Sequence, residues 1–354
     1  MITRVALIFV LIAVVPCFGG EADMTLLSVE RIWDKAPHNA FTDLVRFDGR
    51  LVCAFREAKV HGIEDSESRI RIIVSNDAKG WESVGELTDN RGDIRDAKLT
   101  ILPDGRLMVL TATAILDQSS NVTYQSVAFF TRDLKTWEGP VDVGEPNVWL
   151  WGINFHGPTG PAEVNGVGYS FGYGTADKRY VQLFKTKDGV KFERVGDPLK
   201  VDAAYPSEGA IYFDADDTMQ LLLRCDPWGD DKTAHAYIGA ARPPYTDWTL
   251  KRLKFRIEGP SLTRAPDGRL LGAVPLFGPQ PHLGLFWIDP ETGEFTECLS
   301  LPSAIELSSP GLVWDGDMLN MSYHSMHEEG KARIYFSRVK FNGAAASPVA
   351  SASH

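Results

Sequence analysis

The sequence lacks the features that mark several common classes of protein. It has only four cysteines and eight histidines in 354 residues, with no Cys-x-x-Cys pair and no cluster at zinc-finger spacing. We therefore predict neither a metal site nor a cofactor. The formal net charge is −11, and no basic patch of the kind that binds nucleic acid is present, so no nucleic-acid partner is expected.

A long apolar run occurs only at the start of the chain. Arg4 precedes an apolar stretch over residues 5–15, and small residues follow at positions 19, 20 and 22. This pattern predicts a secretory signal over residues 1–22 and a secreted or periplasmic protein. The stretch is short for a membrane span, so no membrane association is expected after cleavage. The sequence does not indicate an oligomeric state.

The remainder reads as one domain over residues 23–341, followed by an Ala/Ser/Pro-rich tail over 342–354 that is predicted to be disordered. Cys53, Cys225 and Cys298 remain after signal cleavage. Core packing is their expected role, although the count also allows one disulfide.

Helical periodicity is absent from the mature chain, and two series of turns repeat instead. The first series has the pattern Ser/Thr-x-Asp-x-x-x-aromatic at residues 75–81, 131–137 and 186–192, with a degenerate copy at 245–248. The closing aromatics, Trp81, Trp137, Phe192 and Trp248, are about 56 residues apart. A repeat of this length indicates one supersecondary unit per copy.

The second series consists of six short turns of the Asp-Gly type, which suit tight hairpins because they supply positive φ. They lie at residues 48–49, 104–105, 165–166, 216–217, 267–268 and 315–316. Strand-like alternation flanks both series. The pattern predicts an all-β, six-bladed β-propeller of four-stranded antiparallel blades, with a five-bladed ring as the nearest alternative. The blades are predicted over 40–88, 93–143, 150–200, 205–254, 259–301 and 308–341, and residues 26–33 are predicted to close the last blade.

Candidate site residues come from the places that face a propeller's axis, the starts of first strands and the ends of second strands. Carboxylates, arginines and a tyrosine at one mouth suit glycoside hydrolysis, which needs a proton donor and a nucleophile or base. The candidates are Asp43, Asp65, Asp96, Glu208 and Tyr323 for catalysis, and Arg56, Glu57, His61, Arg95, Trp151, His156, Arg224 and His327 for binding a carbohydrate substrate. Trp149, Tyr173 and Trp228 are also suited to stack on sugar rings.

Most of the mature chain resembles the sialidase (neuraminidase) superfamily, specifically exported bacterial sialidase-like proteins with Asp-box repeats. The aromatic turns resemble Asp boxes, one residue tighter than Ser-x-Asp-x-Gly-x-x-Trp. Glu208 and Arg224 resemble the sialidase glutamate and the arginine that follows it, Tyr323 resembles the late tyrosine nucleophile, and residues 329–335 resemble the closing strand of the last blade.

The resemblance implies an exo-acting glycosidase in which Glu208 activates Tyr323 for attack on the anomeric carbon. An aspartate would be the acid, with Asp96 ranked above Asp43 and Asp65. The substrate would be a sialic-acid-like or other terminal sugar. Of the three arginines that grip a sugar carboxylate in sialidases, only Arg224 has a match.

The other two arginine positions read Ala-Phe-Thr at 40–42 and Leu-Ser-Ser at 307–309. Arg56 and Arg95 are the candidates for rebuilding the clamp from other places.

Two alternatives use the same residues. In an invertase- or arabinanase-like glycosidase, Asp43 would be nucleophile or base, Asp96 the orienting group and Glu208 the acid, and five blades would favour this reading. In a non-catalytic carbohydrate-binding propeller, Glu208 and Arg224 form an ion pair and Tyr323 belongs to the core. The scattered histidines are expected to bond substrate or to be structural rather than to hold a metal.

Overall fold

A computed structural model describes residues 23–63, 67–157, 165–175, 178–232, 234–277 and 280–343. The predicted signal segment, Asp65 and residues 344–354 of the predicted tail lie outside the described residues. Within the described ranges, every regular element is a β-strand, and none contains a helix that could cross a membrane.

Twenty-four strands form six antiparallel sheets of four, each built from strands consecutive in the chain except the last. Blade 1 contains β2 (His38–Phe47), β3 (Arg50–Ala58), β4 (Arg69–Ser75) and β5 (Glu82–Leu87); blade 2 contains β6 (Asp93–Ile101), β7 (Leu107–Leu116), β8 (Val122–Thr131) and β9 (Glu138–Asp142); blade 3 contains β10 (Val148–Phe155), β11 (Gly168–Gly174), β12 (Val181–Thr186) and β13 (Glu193–Arg194). Blade 4 contains β14 (Tyr205–Phe213), β15 (Met219–Asp226), β16 (His235–Ala241) and β17 (Thr249–Arg252); blade 5 contains β18 (Ser261–Arg264), β19 (Leu270–Leu276), β20 (His282–Ile288) and β21 (Phe295–Leu301); blade 6 contains β22 (Ser308–Asp315), β23 (Met318–Ser325), β24 (Arg333–Phe341) and β1 (Met24–Trp33).

The prediction of a six-bladed β-propeller is confirmed, and so is the closing role of the N-terminal strand. Each of the six short turns joins the first strand of a blade to the second. In blade 6, β1 pairs with β24 along its whole length, from Met24 opposite Phe341 to Trp33 opposite Ile334. The first and last described strands therefore meet in one sheet.

The aromatic turns join the third and fourth strands of their blades and pack on the preceding blade. In the turn after β8, Asp133 Oδ1 accepts hydrogen bonds from the backbone N–H groups of Lys135 and Thr136, both at 2.8 Å. Thr131 Oγ1 accepts from Leu134 N at 2.9 Å. The aromatic rings face neighbouring blades: Trp81 lies 5.2 Å from Phe336 of blade 6, and Trp248 lies 5.4 Å from Phe171 of blade 3. These turns are therefore structural links between sheets.

The hydrophobic core lies between adjacent blades. One cluster packs Ile72 of blade 1 with Val109 and Phe129 of blade 2, and another packs Phe55 of blade 1 with Phe336 of blade 6. Cys53, Cys225 and Cys298 are all free, which fits the expected core-packing role rather than a disulfide.

Five of the six first strands share an irregularity near their starts. Register breaks, typical of β-bulges, separate Ala40 from Asp43, Arg95 from Lys98, Trp151 from Asn154, Pro206 from Gly209 and Ser308 from Gly311. In four of these bulges the first unpaired residue has positive φ. These residues are Phe41, Asp96, Gly152 and Ser309. The repeated bend changes the direction of side chains near the start of these five first strands.

Candidate active site at the mouth of the propeller

The mouth is the end of the axis where the first strands begin, and Glu208 of β14 is held there by two donors. Arg224 Nη1 on the neighbouring strand β15 donates to Glu208 Oε1 at 2.8 Å, and Gly259 N, from the next blade, donates to Oε2 at 2.7 Å. Glu208 is 9% exposed. The predicted Glu208–Arg224 pair is therefore a buried ion pair with a fixed orientation.

Arg224 also contacts two further carboxylates. Its Nη2 donates to Glu258 Oε1 at 3.0 Å, and its Nε lies 2.6 Å from Asp226 Oδ2. Arg256 contacts the same two carboxylates, at 3.0 Å and 3.1 Å. Burial raises the pKa of Glu258. The Arg224 guanidinium therefore lies against three protein carboxylates, two of which accept hydrogen bonds from it.

Asp96 is the residue at the mouth with the most unusual environment. It occupies the bulge of β6 with φ +57°, a conformation that costs a non-glycine residue energy. Burial, with a smaller contribution from the negative charge of Glu208, raises the pKa of Asp96 to about 6 against the opposing effect of Arg95. Asp96 belongs to blade 2 and Glu208 to blade 4, so their interaction crosses the mouth.

The other two predicted clamp residues, Arg56 and Arg95, share one buried partner. Arg56 Nε donates to Asp93 Oδ1 at 3.0 Å, and Arg95 Nε donates to Asp93 Oδ2 at 2.6 Å. Both guanidinium groups also donate to Gly62 O, which anchors the loop after β3. These arginines therefore stabilise the loop and the Asp93 carboxylate.

A row of aromatic rings, the aromatic arc, lies beside Asp96 and Glu208. Successive ring centroids are 5.3, 6.0, 6.2 and 5.5 Å apart along Tyr124, Trp149, Tyr173, Tyr205 and Trp228. Burial, with a smaller contribution from Glu208, raises the pKa of Tyr205 to about 12. Burial also raises the pKa of Tyr173, and the charges of Glu208 and Asp96 act in the same direction. The arc is buried at Trp149 and Tyr173, and Trp228 at its end is 46% exposed.

Tyr323 is not placed as a nucleophile. Its ring is fully buried between blades 5 and 6 and stacks on Tyr335 at 5.5 Å, and its hydroxyl donates to Pro302 O at 3.0 Å. Burial raises the pKa of this phenol. The structure does not bring Tyr323 to Glu208, whose two oxygens are bonded to Arg224 and Gly259. Its neighbour His324, on the other face of the strand, accepts a hydrogen bond at Nδ1 from Phe41 N at 3.1 Å.

Asp43 lies deeper along the axis than Asp96. Its oxygens accept hydrogen bonds from Leu44 N at 2.9 Å and Leu99 N at 2.7 Å, which tie blade 1 to blade 2, and burial raises its pKa. Asp43 and Trp151 line an axial cavity of about 450 Å³, and Lys98 Nζ lies 4.5 Å from the Trp151 ring. This cavity runs along the inner strands beneath the mouth, and neither Asp96 nor Glu208 lines it.

The remaining predicted residues divide between the mouth and distant places. Glu57 is buried and accepts from Trp33 Nε1 at 2.7 Å and Arg71 Nη2 at 2.7 Å. His156 follows the end of β10, on the opposite side from the mouth, and lies 3.0 Å from Asp217. The prediction that grouped His156 with a first-strand start is wrong because β10 has already crossed the molecule at that point. His327 lies 4.3 Å from the Tyr335 ring, whereas His61 is at the mouth.

Several functional candidates were missed by the sequence reading. Asp93 and Glu258 stand at first-strand starts and could have been selected on that ground alone. Asp226 ends the second strand of blade 4 and had a signal of the same kind, whereas Tyr124 and Arg256, in a third strand and a connecting loop, had none.

No family model matches this sequence, and no curated protein is similar to it. Solved structures are similar in fold. A protein of unknown function from Dyadobacter fermentans superposes with a TM-score of 0.77 at 17% identity over 90% of this chain and 100% of its own. Penicillium chrysogenum α-L-arabinanase, solved with arabinobiose, gives 0.67 at 14% over 90% and 99%. Trypanosoma rangeli sialidase, solved with the inhibitor DANA, gives 0.62 at 11% over 90% and 60%.

The fold is that of sialidases. The arabinanase shares it over nearly its full length, so the six blades do not separate the two glycosidase hypotheses, contrary to the expectation from the sequence. At these identities the similarity establishes the architecture and leaves the chemistry to the site itself.

Proposed function

We propose that this protein is a glycoside hydrolase that removes a terminal neutral sugar, with Asp96 as the proton donor and Glu208 as the second carboxylate. The observation that carries the proposal is the placement of two carboxyl groups at the mouth, Asp96 in the bulge of β6 and Glu208 in the bulge of β14, with burial raising the pKa of Asp96 to about 6. Glycoside hydrolysis requires a protonated acid and an ionised carboxylate in one site. Glycosidases of two substrate classes share the fold.

The arginine contacts support a neutral rather than an anionic substrate. Arg56, Arg95 and Arg224 each bind protein carboxylates. A sugar acid would have to displace one of these partners to obtain a bidentate clamp. A neutral sugar needs only hydrogen bonds and a stacking surface, and the accessible end of the aromatic arc, at Tyr205 and Trp228, supplies the surface.

The proposal leaves Tyr323 and Asp43 out of the chemistry. The Tyr323 hydroxyl is bonded to Pro302 O, and Asp43 lines the axial cavity beneath the mouth, away from Asp96 and Glu208. Glu208 would act as nucleophile or base, oriented by Arg224 and Gly259 N. Asp96 would donate its proton to the leaving oxygen.

The test is a hydrolysis screen of the purified protein on aryl glycosides of neutral sugars, uronic acids and sialic acid. We expect activity on a neutral sugar, reduced by about 10²–10⁴-fold in Glu208→Gln on every leaving group. Asp96→Asn should lose a similar factor on a methyl glycoside but little on a dinitrophenyl glycoside, whose leaving group needs no protonation. Tyr323→Phe is the control, because the Tyr323 hydroxyl bonds Pro302 O away from Glu208, and it should retain activity within a few fold.

Other outcomes assign the site differently. Loss of activity in Tyr323→Phe, with Asp96→Asn still active, would support the mechanism in which Tyr323 is the nucleophile. Cleavage restricted to sialic acid would refute the neutral substrate. No activity on any glycoside, with all variants folded, would support a carbohydrate-binding propeller.

A further inference from the structure

Two histidines and a glutamate meet where blades 1 and 6 adjoin at the mouth. His38 Nε2, at the start of β2, lies 2.8 Å from Glu306 Oε2, and His61 Nδ1, in the loop after β3, lies 3.5 Å from Glu306 Oε1. One ligand atom from each residue lies within 4.8 Å of the other two. Ligands at 2.0–2.1 Å from a tetrahedral zinc ion are about 3.4 Å apart, so these atoms are close to the spacing that one ion requires.

The surroundings hold these three side chains in place. His38 is 6% exposed, and its Nδ1 is buried without a hydrogen-bond partner among the described residues. Glu306 and the preceding Ile305 have φ of +54° and +30°, so the backbone that presents the carboxylate is strained. The His61 carbonyl accepts from Arg95 Nη2 at 2.6 Å, which fixes its loop.

A fourth histidine nearby is already engaged. His324 Nδ1 accepts the hydrogen bond from Phe41 N, and burial lowers its pKa to about 3, so the ring stays neutral and supports the bend at Phe41. The Phe41 ring lies 5.4 Å from His61 and 5.2 Å from His324 and forms an apolar wall beside the cluster. Three protein ligands therefore face the mouth, with coordination positions left for water or a ligand.

We propose that His38, His61 and Glu306 bind a divalent transition-metal ion of the zinc type. Two imidazoles and a carboxylate suit such ions, whereas calcium and magnesium prefer sites made of oxygen. Three protein ligands leave the site open, as in zinc sites that bind a water or substrate. The ion would join the loop after β3 to the segment before β22. This inference is independent of the proposed hydrolase activity and differs from the absence of a metal expected from the sequence.

The test is calorimetric titration of the untagged, chelator-treated protein with ZnCl₂, with CaCl₂ as a parallel titration. We expect one zinc ion per chain at the cluster and no calcium binding there. His61→Ala and Glu306→Gln should each weaken zinc binding at least about tenfold. His61 is half exposed, so its removal should leave the metal-free fold intact, which circular dichroism verifies.

His282 provides the matched control. Its Nε2 lies 3.0 Å from Glu297 Oε1 on blade 5, a His–Glu pair that is not part of the three-residue cluster. His282→Ala should bind zinc as the wild type does. Absence of zinc binding by the wild type, unchanged affinity in His61→Ala and Glu306→Gln, or an equal loss in His282→Ala would each overturn the proposal and leave a His–Glu ion pair.

Discussion

Asp96 combines an unfavourable backbone conformation with an unfavourable charge, and both have consequences for stability. Because the pKa of Asp96 is raised from its ordinary 3.8 to about 6, the folded state binds a proton that the unfolded state releases between these values. The contribution of the protonated Asp96 carboxyl group to the free energy of unfolding is fully present below pH 3.8 and is lost as the pH rises through about 6. A strained, destabilising residue at a mouth is typical of a functional site.

Asp96→Asn should therefore be more stable than the wild type at pH 7.5 and equally stable at pH 3.5. Asparagine carries no charge and tolerates positive φ, so the gain at pH 7.5 should be roughly 1–3 kcal/mol in the free energy of unfolding. Urea unfolding of both proteins at the two pH values measures it. A variant that is less stable at pH 7.5 would mean that the ionised carboxylate stabilises the fold.

Single residues also show where the sequence reading failed. Tyr323 and His324 are neighbours in β23, and neighbouring side chains in a strand point to opposite faces. His324 faces Phe41 at the mouth, which places Tyr323 in the interblade core. The blade and strand of Tyr323 were predicted correctly, but the face was not. The alternation along β23 carried the information, because Tyr323 continues the apolar series of Leu319 and Met321 while His324 continues the polar one.

At the scale of the elements, the aromatic turns were predictable because their hydrogen bonds are local. Thr131, Asp133 and the backbone they bond lie within six consecutive residues, so the pattern can be read from the chain directly. The bulges in the first strands were not predictable. The positive φ at these bulges is imposed by the strand pairing and the neighbouring blade. It occurs at Phe41, Asp96, Gly152 and Ser309, and only Gly152 is a residue type that indicates it in the sequence.

The turn geometry predicts a difference between two threonines. Thr131→Val should lower the free energy of unfolding by about 1 kcal/mol, because the buried hydroxyl that accepts from Leu134 N is replaced by a methyl group of similar size. Thr246 in the degenerate turn is exposed, and its hydroxyl bonds Asp247. Thr246→Val should therefore change stability by less than about 0.5 kcal/mol.

Chemical denaturation of the two valine variants beside the wild type gives the comparison. Equal losses in both variants would show that the hydrogen bonds of the complete turn add nothing beyond the intrinsic preference for threonine.

At the scale of the whole molecule, the ring was predictable from its repeats. The six short turns gave the number of blades, and the segment at 26–33 completed the last one. The networks between blades were not predictable, because Glu208 meets Gly259, and Asp93 meets Arg56, only after the ring has formed. Contacts of this kind depend on the radial arrangement and leave no spacing in the sequence.

Closure of the ring can be tested by a disulfide between the first and last strands. Val29 of β1 lies opposite Ser337 of β24, and the Ser337 hydroxyl is buried without a hydrogen-bond partner among the described residues. Val29→Cys combined with Ser337→Cys should, when oxidised, raise the free energy of unfolding by about 2–5 kcal/mol, since it closes a loop of about 300 residues in the unfolded chain.

The reduced form of the same double variant is the control for the substitutions themselves. Thermal unfolding with and without reductant measures the difference. Equal midpoints in both forms, with the bond verified by mass spectrometry, would contradict a stabilising role for this closure.

The pairing of β1 with β24 also determines how long β1 waits for its partner strand during translation. At 5–20 residues per second, a ribosome needs roughly 15–60 s to travel from one strand to the other. Throughout that interval β1 exists without β24, the strand it pairs with in the described part of the chain, and the edge of blade 6 is not yet made. A nascent chain of this design must therefore keep its first strand from pairing with other chains, and Glu30 and Arg31 within β1 supply charges that discourage such pairing.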